Sequence, residues 1–235
     1  MSSLANLKKN LHRFGSPKKA KACRWFFKTG PGQYGEGDQF IGVTVPEQRQ
    51  VARAFKDLPL PDLRRLLHSP VHEERLTALL ILVSQYERAD AAGKKKIYDF
   101  YLSNAKRVNN WDLVDSSAHH IVGHFLSDKN SAALDKLSRS KNVWERRISI
   151  VATYYGIRNG KMSDVIRISG KLLEDDHDLI HKAVGWMLRE AGKRNQPALE
   201  AFLAKHHHKM PRTMLRYAIE KFPEKKRKQY LNGKH

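Results

Sequence analysis

Arg147-Ile-Ser-Ile-Val-Ala152 opens on a base and continues as a small, apolar segment, and the pattern returns in Arg75-Leu-Thr-Ala-Leu-Leu80, Lys182-Ala-Val-Gly-Trp-Met187 and Arg216-Tyr-Ala-Ile219. The opening residues are spaced 72, 35 and 34 apart, and 72 is two steps of 36 whose midpoint is Trp111 in Trp111-Asp-Leu-Val-Asp115. Within the segments, apolar residues fall at helical intervals, as in Leu76, Leu79, Leu80 and Val83, or Ile148, Val151, Ala152 and Tyr155. No convincing run alternates with period two. A period near 35 with two helices per unit predicts an all-α chain, an α-solenoid of HEAT-like helical repeats curved with a basic concave face.

Working outward, helix starts are expected at Val45-Pro46, at Ser69-Pro70 and at Asn142, three residues before Glu145, where a proline or a short polar side chain suits the first unpaired amides. Gly30, Gly32, Gly35 and Gly37 with Pro31 break the texture and predict a loop over 30–42. Glycines of this kind can cradle phosphate, but the segment lacks the Gly-Lys-Ser/Thr ending of a nucleotide loop and no strand precedes it. A turn-rich connector between helices is the simpler reading. The expected organisation is one repeat domain over 1–235: N-terminal helices and the loop in 1–45, repeats in 46–222 and a basic tail in 223–235.

The chain has 44 Lys and Arg against 24 Asp and Glu, a formal charge of +20 on 235 residues with 40% hydrophobic content. Such a chain can bury a core, and a basic surplus of this size implies a polyanionic partner, because Lys and Arg that neutralise phosphates release condensed counterions. The single Cys23 excludes an internal disulfide and points to a reducing compartment. Residues 1–27 lack the apolar core of a signal peptide. The longest apolar run, 78–83, is far shorter than the roughly 20 residues that span a bilayer. A cytoplasmic or nucleoid location is expected, with no membrane association.

The repeat register also selects a site. Second helices of solenoid units line the concave face, so residues 75, 111, 147, 182 and 216 form one row, and one turn later Leu79, Asp115, Val151, Trp186 and Glu220 form another. The two rows are expected to place Trp111, Asp115, Arg147 and Trp186 together, flanked by Arg75, Lys182 and Arg216. Any of these taken singly has a plain structural reading: tryptophans at helical spacing fill cores, and surface arginines pair weakly. Yet a carboxylate in a phosphate-binding groove repels the ligand unless it does chemistry. Aromatic faces attract a cationic alkylated purine, and cleavage of its N-glycosidic bond builds oxocarbenium charge that Asp115 can stabilise while orienting the attacking water.

These residues resemble those of the AlkD-like DNA alkylation-repair glycosylases, which are HEAT-like repeat proteins. The likeness extends over nearly the whole chain and is clearest in Trp25-Phe-Phe-Lys-Thr-Gly-Pro-Gly through Phe40-Ile-Gly-Val, in Asn110-Trp-Asp-Leu-Val-Asp115, in Val143-Trp-Glu-Arg-Arg147-Ile and in Lys182-Ala-Val-Gly-Trp-Met-Leu-Arg-Glu190. The resemblance implies monofunctional removal of positively charged N3- and N7-alkylpurines from double-stranded DNA, without metal or organic cofactor. It implies Asp115 as the catalytic residue and Trp111, Trp186 and Arg147 as lesion or DNA contacts. It also implies a lesion handled against the concave face rather than flipped into a deep pocket. Asn110 departs from members that carry an aromatic before the first tryptophan, so the resemblance does not extend to fine lesion preference.

Backbone contacts are expected from Arg75, Lys182, Arg216 and Lys28, and from both ends: residues 1–35 hold eight bases and no acid, and Lys225-Lys-Arg-Lys228 lies near the C-terminus. The protein is expected to act as a monomer. The pairs His120/His124 and His177/His181 have helix-face metal spacing but no third ligand in register, so no metal is expected. The contrasting readings are a non-catalytic DNA- or RNA-binding scaffold, which the same charge and repeats serve, and a protein scaffold, which leaves the tryptophans unexplained.

Overall fold

Helix-start chemistry explains where the elements begin. The computed structural model describes residues 3–127 and 131–233, and the chain gathers into two compact units, Met1–Ser117 and Ala118–His235. The first holds α1 (Leu4–His12), α2 (Pro17–Phe26), α3 (Val45–Ala54), α4 (Leu60–Leu67), α5 (His72–Arg88), α6 (Ala91–Ser103) and α7 (Trp111–Asp115). The second holds a π-helical turn at His119–Gly123, then α8 (His124–Leu126), α9 (Ala132–Ser138), α10 (Val143–Arg158), α11 (Ser163–Lys171), α12 (Asp178–Arg194), α13 (Gln196–His206), α14 (Arg212–Ala218) and α15 (Glu224–Leu231). No strand occurs among the described residues, and one parallel bridge joins Gln39 to Val71. The fold is an all-α solenoid, and no described helix is long and apolar enough to cross a membrane.

Two of the three expected helix starts are met in place. Val45-Pro46 begins α3, with the Glu47 carboxylate accepting from the Thr44 amide and hydroxyl at 2.7 Å each. Asn142 caps α10 by accepting from the amides of Trp144 and Glu145. The third is displaced: α5 begins at His72, and Ser69 Oγ instead accepts from the Val71 amide at 3.1 Å.

In the N-terminal unit α5 is the central helix, packing against α3, α4, α6 and α7. Leu76, Leu79, Ile81 and Leu82 are at most 3% exposed, so no side of the helix is left polar. Its first turn is unusual in being charged and buried at once: His72, Glu73, Glu74 and Arg75 are only 2–3% exposed. The 30–42 loop connects α2 to α3 and closes over that turn. Glu73 accepts from the amides of Ile41, Gly42 and Val43 at 3.1, 2.7 and 3.3 Å, which supplies the donors that a buried carboxylate requires. Gly42 has φ +80°, and a Cβ there would lie 2.1 Å from the Ser16 carbonyl oxygen, so the loop can turn against α2 only with glycine.

In the C-terminal unit the second helices stack on their neighbours: α10 on the π-helical turn and on α12, and α12 on α14. Arg147, Lys182 and Arg216 are each the fifth residue of their helix, in α10, α12 and α14. Within this unit the 35-residue period is therefore a structural register, whereas Arg75 is the fourth residue of α5 and Trp111 the first of α7. Close approach of α12 to α14 depends on Gly185, where a Cβ would lie 2.5 Å from both the Met214 carbonyl oxygen and Tyr217 Cβ. Gly185→Ala must push the helices apart, and we expect it to lower unfolding free energy by about 1–3 kcal/mol in urea denaturation despite alanine's better helix propensity.

The segment expected as a basic tail, 223–235, is not a tail over Glu224–Leu231. It folds as α15 because Tyr230 supplies an apolar anchor, buried against Phe222 and His207 with ring centroids 5.9 and 5.7 Å away, while Lys225 and Lys228 stay exposed.

Candidate functional site

Trp111 and Asp115 are the first and last residues of α7, one helical turn apart, and both are partly exposed. Asn110, fully buried, fixes the start of that short helix: its Oδ1 accepts from the Trp111 amide at 2.8 Å and its Nδ2 donates to Asp38 Oδ2 at 3.2 Å. Asp38, from the glycine-rich loop, also accepts from Arg75 Nη2 at 2.6 Å. Between Asp38 and α7 lies His72, with Nδ1 3.0 Å from Asp38 Oδ2 and Nε2 2.8 Å from Asp112 Oδ2. Loop, α5 and α7 are thus joined by one buried network of two carboxylates and two cations.

That arrangement sets the protonation of its members. Burial works to lower His72, but the Asp112 charge and the hydrogen bonds to Asp112 and Asp38 overcome it and push the imidazole up to about 9. Burial works to raise Asp38, but its hydrogen bond to His72 and the adjacent Arg75 charge hold it below the usual carboxylate range. With both ring nitrogens facing carboxylates, His72 is a cation that donates on both sides.

The raised histidine fixes the sign of a pH dependence. Because the folded value of about 9 exceeds the ordinary 6.5, the contribution of His72 to stability is fully present below 6.5 and is lost as pH rises through 9. We expect the urea midpoint to fall between pH 7 and pH 10 by more in the native protein than in His72→Gln, and equal slopes would show that the imidazolium contributes nothing.

Aromatic rings complete this face. Phe27 stacks on Trp111 at 5.3 Å and 17°, on Phe40 at 5.0 Å and lies 4.8 Å from His72, while Phe40 stacks on His72 at 4.6 Å. Phe26 meets the Trp111 ring edge-on at 5.9 Å and remains 55% exposed. Trp111 is held on one side by these rings and stays partly exposed on the remainder. Behind Asp115, burial raises the Tyr101 hydroxyl and the Asp115 charge adds to the shift, with Tyr101 Oη 3.0 Å from Ser117 Oγ.

In the C-terminal unit, Trp186 is partly exposed on α12 beside Tyr154 of α10, 6.1 Å between centroids, and Tyr154 in turn meets His119 edge-on at 5.3 Å. Burial, with His120 and Arg158 nearby, lowers His119 to about 4, so this ring is neutral near pH 7. Arg147 is buried, and its Nη1 donates to the Leu179 carbonyl at 2.6 Å. Lys182 is half-exposed and pairs with Asp178 at 2.6 Å, and Arg216 is exposed on α14. Lys28 is exposed, with Nζ 5.2 Å from the centroid of the Trp25 ring.

One expected backbone contact is overturned. Arg75 is 3% exposed and spends its guanidinium on Asp38 and on the carbonyls of Ser69 and Pro70, so it is a structural cation of the buried network. The second register row is not a uniform face either: Leu79 and Val151 are fully buried because α5 and α10 are covered by neighbouring helices, whereas Glu220 is exposed and pairs with Arg189 and Lys221. The pair His177/His181 is occupied in local structure, His177 Nδ1 accepting from the Leu179 amide and His181 Nε2 meeting the Asp175 carbonyl. The sequence reasoning missed Asp38, His72, Asp112, Phe27 and Tyr154. The signal for the first three was the run His72-Glu-Glu-Arg75 immediately ahead of an apolar helix, where charge with no route to solvent must be paired.

A helical-repeat fold with a part-exposed carboxylate one turn from a part-exposed indole, on a strongly basic chain, belongs to the class of basic helical-repeat proteins suited to a polyanionic partner. The chain belongs to the DNA alkylation repair enzyme family, whose sequence model matches residues 7–222. Its fold is similar to that of a predicted DNA alkylation repair enzyme from Enterococcus faecalis, with a TM-score of 0.68 and 15% identity over 89% of this chain and 97% of that one. No curated protein matches the sequence. Family membership makes the protein a DNA repair enzyme, and DNA its substrate.

Proposed function

We propose that the protein is a monofunctional DNA glycosylase that hydrolyses the N-glycosidic bond of positively charged N3- or N7-alkylated purines in duplex DNA. The observation that carries this reading is the pinned helix α7, which holds Trp111 and Asp115 one turn apart on a buried ionic network. The aromatic face attracts the cationic base. As the C1′–N bond breaks, its electron pair returns to the purine, which leaves neutral, and positive charge moves onto the sugar. Asp115 stabilises that charge and orients water, whose oxygen bonds to C1′ and whose proton passes to solvent. The alkylated purine is already a good leaving group and no general acid is needed.

Trp186 serves as a second lesion contact, Lys182, Arg216 and Lys28 as backbone contacts, and Arg147, buried and held on the Leu179 carbonyl, as a fixed positive charge that acts on the DNA through its field. The enzyme works as a monomer in the cytoplasm or on the nucleoid. The test is incubation with methylated duplex DNA and identification of the released bases. Release of 3-methyladenine or 7-methylguanine is expected; binding without release would make the chain a non-catalytic DNA-binding scaffold.

A further inference from the structure

We propose that the groove between α4 and α6 is a docking site for an acidic amphipathic helix of a partner protein. Both helices pack on α5, and the space left between them has a volume of about 810 Å³. Leu60, Pro61 and Phe100 give it an apolar floor, and Arg64, His68 and Lys96 stand along its rim. The other charges there are already matched, Arg65 with Asp62 at 3.1 Å and Asp99 with Lys95 at 2.6 Å. Arg64, His68 and Lys96 pair with no carboxylate among the described residues. Arg64 lies over the Phe100 ring at 5.4 Å, a position that fixes the guanidinium while leaving its N–H edge for a carboxylate.

Charge and floor together select the occupant. A basic rim alone fits DNA, but hydrated phosphates gain nothing from an apolar floor, whereas a helix with leucines on one face and glutamates beside them matches both. The eight residues of α4 span about 12 Å, enough for roughly two turns of such a helix. Trp111 and Asp115 lie on α7, outside this lining, so the groove is separate from the residues proposed for catalysis.

The experiment uses the whole protein and a fluorescein-labelled 18-residue helical peptide with leucines at i, i+4 and i+7 flanked by glutamates, followed by anisotropy, with backbone amide NMR to locate the contact. The leucine peptide is expected to bind at least tenfold more tightly than the same peptide with serines in their place. Shifts should concentrate in residues 60–68 and 96–103, and Arg64→Glu with Lys96→Glu should lose at least tenfold in peptide affinity while circular dichroism and DNA affinity hold. Equal binding of leucine and serine peptides, no loss in the double variant, or full displacement by a stoichiometric 12-base-pair duplex would each overturn the proposal, the last by making the groove a nucleic-acid surface.

Discussion

Asp115→Asn is expected to slow release of 7-methylguanine from methylated duplex DNA by about 10²–10³-fold, the loss typical when one preorganised stabilising group is removed from a transition state. Binding should move the other way. An asparagine no longer repels phosphate, so affinity for undamaged duplex is expected to hold or to rise slightly. Single-turnover excision measured beside anisotropy separates the two effects. Asparagine keeps the size of the side chain, and Trp111 and the Asn110 cap lie at the other end of α7, so a fold defect should not account for the change. A variant that excises as fast as the native protein removes Asp115 from the mechanism.

Asp38→Ala is expected to be the most destabilising single change in the N-terminal unit, by about 3–5 kcal/mol, because it removes one partner of a buried ion pair and leaves cations behind. Arg75 and His72, both almost completely buried, would lose their contacts at 2.6 and 3.0 Å, and Asn110 would lose its acceptor. Asp38→Asn keeps a carbonyl oxygen for Arg75 or Asn110 and should lose less, and the gap between the two variants in urea denaturation measures the charge itself. If both variants unfold with the native midpoint, the network does not hold the loop and α7 in place.

The class of fold was legible because a 35-residue period needs only repeated local patterns, and the fifth-residue positions of Arg147, Lys182 and Arg216 follow from the same regularity. Trp111 and Asp115 were legible as candidates because their spacing is that of one helical turn. Arg75 was misplaced for a physical reason: register gives the direction in which a side chain leaves its helix, and it does not tell what lies over it. The cover is the 38–43 segment, which reaches α5 across more than thirty residues of chain and leaves no periodic trace. At Asn110 the sequence shows only a departure from relatives that carry an aromatic there, and its role as the buried cap of α7 depends on Asp38, 72 residues away in the chain.

The Glu73 clamp means that the first forty-odd residues cannot be treated as a detachable DNA-gripping arm. Three amides of Ile41, Gly42 and Val43 answer one interior carboxylate, and Asp38 answers Arg75. Cutting the chain before Val45 would take from Glu73 its three amide donors and from Arg75 its carboxylate and would uncover the apolar first half of α5, so the shortened protein is expected to lose folding stability and not only affinity for DNA. The N-terminal stretch thus serves the interior through its 38–43 segment while its lysines and arginines stand ahead of that segment in the chain.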